Sequence, residues 1–196
     1  MPRPDVSDER IPQILSAAAT IFAEYGIDGA SMAQIAQAAD VSKATIYHYF
    51  ESKDALVEAL VRRLFDEDRT EIEQLIRSKE SVAARIRTYI QGLSQLLERN
   101  RDLYPIFAES KVITSRRPNI QAILQAYYQG YVDDFQVIIE QGRVSGEIRP
   151  DTDSATAALA LVSTIEGSIL MAINLNEPIG TVMAVSVGVL MAGLLA

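Results

Sequence analysis

Lys43, Thr45, Tyr47 and His48 fall within one short stretch, Lys-Ala-Thr-Ile-Tyr-His-Tyr, that offers a cation, a hydroxyl, a phenol and an imidazole. Ala44 among them adds no bulk, so the stretch can come close to a partner surface. Hydrogen-bonding groups at the start of a short helix suit a helix whose N-terminal end enters the major groove of DNA. There a lysine can donate to guanine O6 and N7, and a threonine methyl can meet the methyl of thymine. The plainer alternative is a surface helix with ordinary solvated side chains.

Such residues act only if neighbouring elements hold them outward. Ser31 followed by Gln34 makes a capping box, in which the hydroxyl accepts from an orphan backbone N–H and the amide reaches back. Ile35, Ala36 and Ala39 then form a narrow apolar stripe at helical spacing, with alanines that permit close packing. Asp40 tolerates the left-handed backbone that a sharp helix-to-helix corner requires. Val41 plugs that corner, and Ser42 is a second N-cap. Beyond it Ile46 and Phe50, four apart, face inward, so Lys43, Ala44, Thr45, Tyr47 and His48 face elsewhere.

Phe22-x-x-x-Gly26, Ala30-Ser31-Met32, Ile35-Ala36, Ala39-Asp40-Val41-Ser42, Ile46-Tyr47-His48-Tyr49-Phe50 and Ser52-Lys53-Asp54-Ala55-Leu56 together resemble the N-terminal domain of the TetR family of transcriptional regulators. The likeness runs from about Ile11 to Leu60. It implies an all-α homodimer that binds a palindromic operator, usually represses, and leaves DNA when a small molecule binds. On that basis residues 1–52 form a three-helix DNA-binding head with a helix-turn-helix. Residues 53–196 then form a larger helical ligand-binding and dimerisation domain, about nine helices in all. Ser31 and Tyr47 match phosphate-contacting positions, with Lys53 adding a charge at the next helix start, while Lys43 and Thr45 reach base edges. His48 either touches phosphate or packs beside Tyr49. A ligand would act by favouring a body conformation in which the two recognition helices no longer sit roughly 34–36 Å apart.

Charge bears on this reading. The chain carries a formal −8, and residues 1–63 hold six Lys/Arg against nine Asp/Glu. Between Ser42 and Lys53 there are two lysines and one acid, Glu51. A footprint with so few cations leans on hydroxyls and backbone N–H groups, and its affinity should respond only shallowly to salt. The absence of cysteine removes disulfides and thiolate metal sites. His48 is the single histidine, so a histidine-based triad or a two-histidine metal site is excluded. No phosphate-cradling glycine loop is present. The reading is therefore a non-enzymatic, cytoplasmic protein without cofactor or metal, 196 residues long. Two other readings stay open: a constitutive or activating DNA-binding protein whose body meets a protein partner, and a helical enzyme.

Helical patterns continue to the end. The first starts near Arg10, with Pro12 in its opening turn, and stops at Gly26. Others open at Ser52, Ser81, Tyr104, Pro118, Pro150-Asp151-Thr152 and Pro178, with Gly142 and Gly146 stopping the one from Pro118. Ala155 to Ile173 and Thr181 to Ala196 are almost wholly apolar. The first run is interrupted by Glu166, and the second is only about sixteen residues, short of the roughly twenty a bilayer span needs. Burial between subunits explains them better than a membrane, through helices of about 152–175 and 178–196. The body's aromatics Tyr104, Phe107, Tyr127, Tyr128 and Tyr131, with Glu166 among apolar neighbours, are the candidate ligand contacts. Packing of the core is the competing account of each. A small, mostly apolar effector with one or two polar groups would fit them.

Overall fold

The computed structural model describes residues 6–100 and 117–196. Within them lie eight helices: α1 (Val6–Gly29), α2 (Met32–Ala38), α3 (Lys43–Tyr49), α4 (Lys53–Arg77), α5 (Val82–Arg99), α6 (Pro118–Ser145), α7 (Ser154–Leu175) and α8 (Ile179–Leu194). No strand occurs among the described residues apart from a single antiparallel bridge between Ile148 and Leu195. The fold is all-α, with an N-terminal helix-turn-helix head and a larger helical body. The helix expected from Tyr104 lies outside the described residues, as do Tyr104 and Phe107 themselves.

The chain falls into two compact units. Among the described residues one holds everything up to Phe65 together with 100 and 117–123, and the other holds Asp66–Arg99 and Leu124–Ala196. In the first, α1 packs on α2 and α2 on α3. Ile14, Phe22, Ile27, Ile35, Ile46 and Leu56 are wholly enclosed. Burying each such side chain is worth about 1.5–3 kcal/mol. Gly26 breaks α1 at φ 71°, a backbone region that glycine enters without a Cβ penalty. The helix itself begins at Val6, earlier than Arg10, so Pro12 sits inside it rather than in its first turn. The cost is one missing donor, to the carbonyl of residue 8.

In the second unit α7 packs along α8, and α8 also meets α5. The expected stop at Gly142 is corrected: α6 runs on to Ser145 and ends at Gly146, φ 82°. Gly142 instead permits close approach, because a Cβ there would clash with Val82 and lie 2.8 Å from Ile148 Cγ1. The helix expected to open at Pro150-Asp151-Thr152 opens at Ser154. Asp153 is its cap, whose carboxylate accepts from the Thr156 N–H at 3.3 Å. Glu140 ties α6 to that start. It accepts from Ser154 Oγ at 2.6 Å and takes a two-pronged bond from Arg143 at 2.6 and 2.8 Å.

Arg85 is 3 % exposed, and among the described residues no carboxylate faces it in an ion pair. Its guanidinium instead donates to Gln141 Oε1 at 2.5 Å and to the Leu75 carbonyl at 3.4 Å. Gln141 Nε2 donates to the Ile76 carbonyl at 3.3 Å. The two side chains thus cap the last turn of α4, where unpaired carbonyls and the negative helix end favour a cation.

Candidate nucleic-acid interface

The corner between α2 and α3 forms by local bonding. Ser31 Oγ accepts from the Gln34 N–H at 3.3 Å while Gln34 Oε1 accepts from the Ser31 N–H at 2.9 Å, closing the capping box. Ala39 and Val41 return N–H bonds to the carbonyls of Ile35 and Ala36, and Asp40 turns at φ 50°. Gln13 of α1 donates to the Ala39 carbonyl at 2.7 Å, fixing α2 against α1. Ser42 Oγ then accepts from the Thr45 N–H at 3.0 Å and opens α3.

With Ile46 enclosed and Phe50 8 % exposed, α3 is rooted by one face. Ser42, Lys43, Ala44, Tyr47 and His48 lie on the exposed side, and Thr45 is half-buried. The Lys43 ammonium stands 5.8 Å from the Tyr47 ring centroid, within cation–π range. Thr45 Oγ1 is 2.8 Å from Ser42 Oγ. That bond turns the threonine hydroxyl toward the helix start and leaves the methyl as its other face. His48 makes an edge contact with Tyr49, centroids 5.0 Å apart. The Ser31 hydroxyl also donates to Gln34 Oε1 at 2.6 Å, so bonding to a phosphate means exchanging that partner.

Lys53 is only partly free. Its ammonium donates to the carbonyls of Asp28 at 3.0 Å and Ala30 at 2.9 Å, leaving one of three hydrogens for another acceptor. Beside it stands a second cation, from far along the chain. Arg117, whose side chain is 13 % exposed, pairs with Asp28 at 2.5 Å and Asp54 at 3.1 Å. Nothing in its neighbourhood of the sequence announces this, since its partners lie far back along the chain. The one hint was an excess of acid, with Asp28 and Asp54 set against Lys53 alone.

The candidate ligand residues separate in the second unit. Tyr127 donates from its hydroxyl to Asp66 Oδ1 at 2.7 Å, and Tyr131 is 7 % exposed, within the core. Tyr128 and Glu166 come together. Burial, then the charge and hydrogen bonding of Glu166, push the Tyr128 phenol well above its ordinary value of 10.0. None of the four lines the apolar groove between α5 and α8, a space of about 660 Å³ bounded by Ile86, Ile90, Ser94, Ala184, Val187 and Met191.

The TetR family model of bacterial regulatory proteins matches residues 14–60, the segment just described, and a tetracyclin repressor-like C-terminal domain model matches residues 85–183, half the chain. The chain belongs to the TetR family. An uncharacterised helix-turn-helix regulator, YfiR of Bacillus subtilis, is 26 % identical over 171 residues, covering 87 % of this chain and 83 % of its own. The transcriptional repressor AcnR of Corynebacterium jeikeium is 30 % identical over 172 residues, covering 84 % of each. A crystal structure of a TetR regulator from Haloarcula marismortui superposes with a TM-score of 0.84 at 18 % identity, covering 96 % of this chain and all of that one, and so attests the fold. This TetR-family member is accordingly a DNA-binding transcriptional regulator, not an enzyme.

Proposed function

We propose that this regulator is a dimeric repressor that releases a palindromic operator when a small, mostly apolar effector binds its body. The observation that carries the proposal is the outward-facing side of α3, capped by Ser42 and rooted by Ile46. In this reading residues 1–52 are the DNA-binding head. Lys43 donates to guanine and Thr45 presents its methyl to thymine, while Ala44 allows close approach. Ser31, Tyr47 and Lys53 hold phosphates, Ser42 sets the helix start, and His48 lies at the edge of the footprint.

Residues 53–196 are the body, and its last two helices join the subunits. Support comes from the apolar side chains those helices leave exposed, among them Leu159, Leu170, Met171, Val185 and Val189. The helix Ser154–Leu175 is, by length and composition alone, long and apolar enough to cross a membrane. A second subunit covers such a face equally well, and the protein then works in the cytoplasm. For the effector, Tyr128 with Glu166 is the polar anchor favoured here, because a buried phenol that donates to a carboxylate can exchange it for a ligand's acceptor and leave the carboxylate to take a ligand's donor.

Selection of bound duplexes from a random pool with purified protein tests this. A palindrome with half-sites one helical turn apart supports a dimer reading two major grooves. A single unrepeated half-site, or no enrichment, removes the proposal.

A further inference from the structure

Four charges meet where α1 ends and α4 begins. Asp28 and Asp54 carry two negatives, their side chains 64 % and 43 % exposed, and Lys53 and Arg117 carry two positives. Lys53 is fastened to the Asp28 and Ala30 carbonyls, so its ammonium cannot retreat from the Asp28 carboxylate by changing rotamer without losing both bonds. Arg117 bridges the two acids from the residue before Pro118, where α6 starts. The local sum is zero with Arg117 present and −1 without it. DNA phosphates would meet that deficit beside the lysine offered to them, in a head whose first 63 residues already carry more acid than base.

We infer that Arg117 is a positioning residue for DNA binding, cancelling the Asp28 and Asp54 charges beside Lys53 so that the lysine can receive a phosphate. The inference rests on the reading of Lys53 as a phosphate contact. It assigns Arg117 no contact with DNA. Its effect is a field, graded by salt, and it separates from a merely structural bridge because charge can be restored without restoring the bridge.

The test uses the full chain and a short duplex recovered by the protein from a random pool, with affinity read by fluorescence anisotropy at low and high salt. Arg117→Gln weakens binding about fivefold at low salt for a dimer, and the difference fades as ions screen the field. Arg117→Lys keeps most of the affinity. The double variant Arg117→Gln/Asp54→Asn returns the local sum to zero without the bridge and recovers affinity to within about twofold of the parent. Should Arg117→Gln fail to fold, Asp54→Asn alone, with Arg117 in place, binds several-fold tighter at low salt. Equal low-salt affinity of Arg117→Gln and parent overturns the inference. So does a double variant no better than the single one, or Asp54→Asn without gain. A parent that binds no duplex at all removes the DNA-binding reading itself, a result distinct from these.

Discussion

Replacing Lys53 by alanine has two effects that can be measured apart. The first is on salt dependence. Lys43 in the groove and Lys53 on a phosphate are the cations of this segment, each displacing condensed counterions, so a dimer presents four. At about 0.9 per cation, four give a slope of log K against log salt near −3.6, or about a 150-fold loss of affinity between 50 and 200 mM. Without Lys53 the slope falls to about −1.8 and the loss to about 12-fold. The second effect is on the fold, because the ammonium holds the Asp28 and Ala30 carbonyls. Losing two such bonds from a half-exposed cation costs the head about 1–2 kcal/mol. Anisotropy titrations of a selected duplex over a potassium chloride series give the slope, and urea melts followed by circular dichroism give the stability. A Lys53→Ala slope equal to the parent's would mean that the lysine only clamps the head. A parent slope steeper than about −6 would place further cations in the footprint and refute the count.

Thr45→Ala should lower discrimination at one base pair of each half-site by about 1 kcal/mol, through weaker binding of the preferred sequence with other sequences bound as before, and identical selected sequences from both proteins would exclude its role in base reading. Gly142→Ala forces a methyl against Val82 and Ile148 and should destabilise the body by about 1–3 kcal/mol in urea melts. Bonds from Arg143 and then Ser154 hold the Glu140 carboxyl at about 2, below its ordinary 4.5. Its contribution to stability is therefore complete above about pH 4.5 and is lost as pH falls toward 2. Glu140→Gln should flatten that acid limb of the melting profile, and an unchanged limb would show that the interaction is not felt. Tyr128 should stay protonated in an ultraviolet titration after other tyrosines have ionised, and Tyr128→Phe should remove that late step.

The head was readable because its signals are local. Ser31 with Gln34, Asp40 at the corner, Ser42, and Ile46 with Phe50 each act within a few residues, and each stands as its type implied. What escaped the sequence depends on distant partners. Arg117 finds its acids far back along the chain, and Arg85 finds Gln141 only once α6 lies beside α5. Gly142 reads as a helix stop until Val82 and Ile148 crowd it. Pro12 obeyed tertiary packing over local preference, since the stripe through Ile14, Leu15 and Ala18 anchors α1 regardless of one missing donor. The aromatic cluster resolved unevenly for the same reason. Composition could name Tyr127, Tyr128 and Tyr131 together, but only the helix faces separate a core residue from one beside Glu166.

Arg85 has a consequence for how the body opens. Its guanidinium donates to the Leu75 carbonyl and to Gln141, which in turn donates to the Ile76 carbonyl, an arrangement that holds only while the end of α4 stays wound. Fraying of that turn would strand a charge in a dry interior, which is far costlier than fraying an ordinary helix end. Amide hydrogens near Leu75 should therefore exchange with solvent no faster than those of the α5 turn that carries Arg85, the two segments behaving as one cooperative block.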